Sequence, residues 1–184
     1  MSKQKVNHNY LGMQQRLSPE WLNDFEDRGF VLEEKHDGWW CCASFINGYA
    51  DCSSRHGNFL EDATRRLMHW LEDPLTGIII GEWMPEQQIM WAFDLISLDG
   101  VNLRSRPLSD RRKLLEDVVG PLNPAITITP QFKKGFKLVY EAIVADGGEG
   151  VVLKHEDSIY KSHLASKKTS LWLKCKPAYA RPSV

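Results

Sequence analysis

Glu33-Glu34-Lys35-His36-Asp37-Gly38, set between the strand-like runs Phe30 to Lys35 and Trp39 to Ile46, is the stretch on which the reading of this chain turns. A strand that ends in Lys-x-Asp-Gly presents an amine at its lip, a carboxylate two residues on, and a glycine that lets backbone approach a phosphate. Alone, such a string is most often a solvated turn, so its meaning depends on its company. After Trp39 to Ile46, Asn47-Gly48 supplies the positive φ values of a two-residue hairpin turn leading into Tyr49 to Ser53. The amine of Lys35 is therefore expected where one strand ends and a hairpin begins.

Further out, helices and strands alternate irregularly. Ser18-Pro19-Glu20 opens a helix, with serine as N-cap, proline at the first position, Trp21, Leu22 and Phe25 on its apolar side, and Gly29 to close it. Phe59 to Glu72 carries Leu60, Leu67 and Leu71 at helical spacing and stops at Asp73-Pro74. Gly77 to Met84 and Ile89 to Leu98 are apolar enough for central strands, joined by a turn containing Pro85 and followed by Asp99-Gly100. Ser109 to Val119 reads as a helix ending at Gly120, Ala125 to Thr129 as a brief strand and Phe132 to Ala145 as a helix. Gly150 to Lys154 and Leu171 to Lys176 read as closing strands, and the first seventeen residues as a loose arm. With 184 residues, no repeat and short loops, the expectation is one α+β domain over residues 1–184.

Composition narrows the function classes. The longest apolar stretches, such as Ile78-Ile79-Ile80, fall far short of the ~20 residues that cross a bilayer. The polar N-terminus has no signal-peptide core, so a cytoplasmic protein, in the host cytoplasm if viral, is expected. Cys41, Cys42, Cys52 and Cys175 form no CxxC pair and read as free thiols, and the histidines lack zinc-ligand spacing. A net charge of −1 excludes a protein held on nucleic acid by overall charge, so any grip on a polyanion is local. Candidate clusters are Arg104 with Arg106, Arg111-Arg112-Lys113, Lys133-Lys134 with Lys137, and Lys154, Lys161, Lys167-Lys168, Lys174 and Lys176.

Several strings could serve one chemistry. Ser53-Ser54-Arg55-His56-Gly57 offers a guanidinium fork beside a glycine turn, suited to a phosphate. Ile78-Ile79-Ile80-Gly81-Glu82 ends a buried-looking strand on a carboxylate, which there needs a ribose hydroxyl, a metal or a cation. Phe93, within Trp91-Ala92-Phe93-Asp94-Leu95, is either a core ring or a base-stacking ring. Gly147-Gly148-Glu149-Gly150 precedes the apolar Val151-Val152-Leu153 and Lys154, a metal or phosphate lip. Trp172-Leu173-Lys174-Cys175-Lys176-Pro177 sets two lysines two residues apart, either a protected sheet edge or a polyanion clamp.

In order along the chain, KHDG, SRHG, IIGE, AFDL, EGVVLK and LKCKP resemble motifs I, Ia, III, IIIa, IV and V of the covalent nucleotidyltransferases, the ATP-dependent DNA ligases above all. The likeness runs over residues 33–177, and Arg106 to Arg112 and Tyr160 to Trp172 also look ligase-like. It implies an α+β nucleotidyltransferase (ATP-grasp-like) fold of mainly antiparallel sheets flanked by helices. It implies Lys35 as the nucleophile that takes AMP from ATP, with Asp37 assisting metal binding or sealing. Glu33 would contact adenine, Arg55 phosphate, Glu82 ribose or metal, and Phe93 the base by stacking. Glu149 would support Mg²⁺, with Mn²⁺ as a substitute, and Lys174 and Lys176 would hold the ATP phosphates. A lysine nucleophile must shed its proton, which neighbouring cations and partial desolvation favour. The implied substrate is nicked duplex DNA, whose 5′-phosphate receives AMP before the 3′-hydroxyl seals the break.

Two departures qualify the likeness. Ligases of this type often carry arginine five residues after the nucleophile, where this chain has Trp40, so a contact to the nick is missing or moved. The sequence also ends eight residues after Lys176, without the OB-fold domain and basic motif VI of the family. A monomer with a helper OB-fold or DNA-binding partner is the corresponding expectation, and the initial Met and irregular tail favour a small, phage-like complete protein over a fragment. RNA ligases and capping-type guanylyltransferases share the Lys-x-Asp-Gly chemistry, and a non-catalytic nucleotide- or DNA-binding module is the reading from another class.

Overall fold

The structure, a computed structural model, describes residues 15–47, 49–68, 76–120, 124–161 and 171–177. The described residues gather into two compact units, one within 37–129 and 156–161, the other within 15–36, 130–155 and 171–177. Each unit owns one sheet.

In the unit that contains Lys35, five strands lie in the order β1 (Gln15–Arg16), β11 (Trp172–Cys175), β10 (Val151–His155), β2 (Phe30–Glu34) and β9 (Gln131–Phe132). All pairings are antiparallel except β1 with β11. Strand alternation sends Leu32, Val151, Leu153, Leu173 and Cys175 to one face, where they pack with Leu22, Phe136 and Tyr140. Leu22 comes from a short 3₁₀ helix, Pro19–Phe25, and the other two from α3, Phe136–Ala145. The segment opened by Ser18 is thus a 3₁₀ helix, and the Ser18 hydroxyl bonds the Glu20 carboxylate instead of capping a backbone amide. α3 starts after Gly135 with no cap of its own. Its first amides find Glu26 Oε1 at 2.8 Å and Asn23 Oδ1 at 3.1 Å, so the 3₁₀ helix serves as an external cap.

The other unit holds a six-stranded sheet in the order β4 (Tyr49–Ser54), β3 (Trp39–Ile46), β5 (Gly77–Met84), β6 (Ile89–Leu98) and β7 (Val101–Asn102), with β8 (Ile126–Ile128) parallel to β6. The bounds of β5 and β6 are those read from their apolar runs. Helices α1 (Glu61–Met68) and α2 (Leu108–Val119) pack through Ala63, Leu67, Leu115 and Val119 against Phe45, Ile79, Leu95 and Trp83. α2 ends at Gly120 with φ +64, as the glycine stop requires. Asn47 has the positive φ of a hairpin turn, whereas Gly48, the stop at Asp73-Pro74, most of the N-terminal arm, Lys167-Lys168 and most of Tyr160 to Trp172 lie outside the described residues.

Buried charge decides which basic clusters face water. Arg111 is fully buried, its fork on Asp94 through Nε at 2.7 Å and Nη2 at 2.9 Å. Arg112 bonds Glu116 and the carbonyl of Thr129. Lys154 is 2% exposed and ion-paired with Glu33. Arg111 and Lys154 therefore leave the list of polyanion-binding candidates: desolvating a charge demands a fixed partner, and each has one. The four cysteines are buried free thiols.

Candidate functional site

Cross-strand register builds the site in the Lys35 unit. Glu34, Val151 and Cys175 stand opposite one another on β2, β10 and β11. The next row beyond the strand ends is therefore Lys35, Gly150 and Lys176, and the Lys35 amide donates to the Gly150 carbonyl at 2.9 Å. Glu149 follows in the same lip, and its two carboxylate oxygens take one ammonium each, Oε2 from Lys35 and Oε1 from Lys176. All three side chains are partly buried, which strengthens the ion pairs relative to water while leaving a path for a ligand.

Gly150 makes this convergence possible. Its φ of +121 suits no L side chain, and an added Cβ would strike the Cys175 carbonyl and lie 3.0 Å from Lys176 Cα. Gly150→Ala is expected to destabilise the protein by at least about 1–3 kcal/mol, the range for a forced backbone conformation. Urea unfolding measures it, and an unchanged midpoint would show that the strands need not approach so closely.

One row inward on the same face, Glu33 is 2% exposed. Its Oε2 holds Lys154, and its Oε1 accepts from Gln131 Nε2 at 2.8 Å. The Lys154 ammonium sits 4.3 Å from the centroid of the Trp172 ring, a cation–π contact that completes a row across four strands. Lys174 lies opposite Val152 on β11, half-buried, and of the two motif lysines it is Lys176 that reaches Glu149.

His36 follows Lys35 and stays neutral. Burial, then the charges of Lys154 and Lys35, push its imidazole down to about 4 from the usual 6.5. A folded value below the unfolded one means that the native state binds fewer protons, so His36 contributes stability fully above pH 6.5 and loses it as pH falls toward about 4. Between those limits wild type should lose stability more steeply than His36→Asn in parallel thermal melts. Equal slopes would remove His36 from the acid response.

In the other unit, Asp37 is exposed and Gly38 lies so close to β5 that a Cβ there would sit 2.5 Å from the Trp83 carbonyl and 2.6 Å from Met84 Sδ. The glycine of the KHDG string is needed for that approach. Glu82, half-buried, stands opposite Trp40 of β3 on one side and Trp91 of β6 on the other. Phe93, half-buried, is the extra residue of a β-bulge, since Gly81 pairs with Ala92 and Ile80 with Asp94. Phe93 is half-buried there, whereas the neighbouring Asp94 is fully buried. Arg55 is exposed after β4, its Nε donating to His56 Nε2 at 2.9 Å.

Sequence reasoning missed Gln131, Trp172 and the Asp94–Arg111 pair. The signal available for the pair was an aspartate inside an apolar strand, where ionised carboxylates survive only with a partner. Nothing local in Gln131-Phe132 marks it, because its importance comes from standing opposite Glu33.

Comparison with known proteins shows the family. A sequence model of the ATP dependent DNA ligase domain matches residues 79–176, more than half of the chain. A DNA ligase of Methanoculleus marisnigri is 39% identical over 89 residues, a stretch covering 46% of this chain and 15% of that relative. The chain thus matches a small part of the length of such curated relatives. Among solved structures, mycobacterial DNA ligase D complexed with ATP and MES superposes with a TM-score of 0.71 at 21% identity, over 89% of this chain and 58% of the other. An archaeal ATP-dependent RNA ligase gives 0.60 at 20% identity, over 90% of this chain and 47% of the other. At such identities these likenesses establish the fold, the α+β nucleotidyltransferase fold with mainly antiparallel sheets. A family match over most of the motif-bearing chain, on that fold, makes this protein a member of the ATP-dependent DNA ligase domain family.

Proposed function

We propose that the chain supplies the nucleotidyltransferase chemistry of an ATP-dependent DNA ligase acting on nicked duplex DNA. The observation that carries this reading is the Glu149 carboxylate held by both Lys35 and Lys176. Two ammoniums gathered on one carboxylate can be redirected to a polyphosphate at little extra desolvation cost, which matches a site that alternates between empty and ATP-loaded states.

In the proposed reaction, Lys35 Nζ attacks the α-phosphorus of ATP. A phosphoramidate N–P bond forms as the bond to pyrophosphate breaks, and the amine proton leaves, with Glu149 the carboxylate in contact. Lys176 and Lys174 neutralise the departing phosphates. AMP then passes to the 5′-phosphate of a nick, and the 3′-hydroxyl displaces it to form the phosphodiester. Arg55 serves a phosphate, Glu82 the ribose or a metal, Phe93 the base by stacking, and Glu33 the adenine. Asp37 assists metal binding or sealing.

Among the described residues no group of three or more His, Cys, Asp or Glu side chains could hold a metal alone. A single carboxylate such as Glu149 nonetheless fits Mg²⁺, which keeps several waters and takes its remaining ligands from phosphate. Mg²⁺ or Mn²⁺, when bound, would offset charge on the phosphates. No helix among the described residues is long and apolar enough to cross a membrane. The proposed protein is cytoplasmic and monomeric and works with a helper OB-fold or DNA-binding partner.

The test is incubation with α-labelled ATP or GTP and Mg²⁺, followed by nicked DNA or nicked RNA. Acid-labile protein label from ATP and sealing of nicked DNA support the proposal. GTP labelling would replace it with capping chemistry, RNA-only sealing with an RNA ligase, and absence of label with a binding module.

A further inference from the structure

Glu33 does not face its row alone. Gln131, on the edge strand β9, stands directly opposite it and donates Nε2–H to Glu33 Oε1 at 2.8 Å. Oε2 of the same carboxylate is bound to Lys154, which in turn lies over Trp172. A carboxylate holding an ammonium only accepts hydrogen bonds, so the Gln131 amide has one compatible orientation. Its NH₂ points to Glu33 and its carbonyl Oε1 points away. The Trp172–Lys154–Glu33–Gln131 row therefore fixes an acceptor at the sheet edge.

That acceptor stands at a useful distance from the amine. Lys35 follows Glu33 by two residues, which puts both on one face of the sheet, ~6.6 Å along the strand. Gln131 lies one strand across, ~4.8 Å away, so the two backbones are about 8 Å apart, the reach of a nucleoside. A carbonyl acceptor complements the 6-amino donor of adenine and opposes the O6 acceptor of guanine.

We propose that Gln131 selects adenine over guanine, with Glu33, Lys154 and Trp172 as positioning residues that hold its amide in register. Glu33 then serves the base through Gln131. The proposal rests on the reading of this chain as an ATP-using nucleotidyltransferase.

The test is calorimetric binding of ATP, GTP and purine riboside triphosphate, which lacks the 6-amino group, to wild type, Gln131→Met and Glu33→Gln. Gln131→Met keeps the side-chain length and removes the carbonyl. It should weaken ATP binding about tenfold or more, the range for a lost buried hydrogen bond, while purine riboside triphosphate binds as before. Glu33→Gln frees the Gln131 amide to turn over, so the preference for ATP over GTP should shrink. Equal losses for ATP and purine riboside triphosphate in Gln131→Met, or unchanged ATP affinity, would overturn the assignment and leave the ligase reading intact. Wild-type protein that binds none of the three would overturn both.

Discussion

Lys35→Ala protein is expected to take up no label from α-labelled ATP, a loss of at least about 10³-fold and of the order seen when a covalent enzyme loses its nucleophile. Among the described residues of its unit, Lys35 shares the Glu149 carboxylate with Lys176, and only these two amines meet there. Lys176 follows the end of β11, whereas the Lys35 backbone is locked to Gly150 where β2 and β10 run out. Lys176→Ala should slow labelling without abolishing it, because it removes charge compensation and leaves the attacking amine. Denaturing gel autoradiography after acid and alkaline treatment reads both variants. Label retained by Lys35→Ala would show that another group is the nucleophile.

Arg111→Met is expected to cost about 3–5 kcal/mol, the penalty for leaving one member of a buried ion pair without its partner. Asp94 and Arg111 are both fully buried, and the guanidinium also donates to the Ser158 carbonyl at 2.9 Å and lies 5.8 Å from the Tyr160 ring centroid. Removing it leaves the buried Asp94 carboxylate without its cation, though still accepting from the Leu95 amide at 2.9 Å. A chain of this size loses roughly 2–4 °C of Tm per kcal/mol, so a drop on the order of 10 °C is expected in a thermal melt. Adding Asp94→Leu should restore part of the loss, because two apolar groups need no mutual neutralisation. A single variant that melts within a degree of wild type would mean that the pair holds nothing together. Because β6 carries both Asp94 and the bulged Phe93, the same substitution should also weaken any step that uses that ring.

The legibility of the site in the sequence was uneven for physical reasons. Strands β5 and β6 were readable because long apolar runs bounded by Pro85 and Asp99-Gly100 leave few alternatives. The segment after Ser18 carries a good helix-start signal, yet it closes as a 3₁₀ helix whose Asn23 and Glu26 serve as caps for α3. Local capping rules do not know of a second helix more than a hundred residues away. Lys154 looks like any lysine at the end of an apolar strand until Glu33 and Trp172 are placed beside it.

By itself the sequence determined the residue types, the glycine positions and the order of six short motifs, all of which depend on local chemistry and chain direction. It placed Lys35 at the close of a strand, which stops one residue earlier at Glu34, and glycines on either side of Glu149, whereas Glu82, read as the end of an apolar strand, lies inside β5, which runs on to Met84. Which carboxylate meets which amine was decided only by the tertiary structure. Glu149 is 114 residues from Lys35, and Lys154 is 121 from Glu33. A strand slipped by one residue would turn each of these side chains to the opposite face of the sheet. Register, set by the packing of Leu32, Val151, Leu153 and Leu173 on the far face, is therefore what converts six separated strings into a charged lip and the buried row behind it.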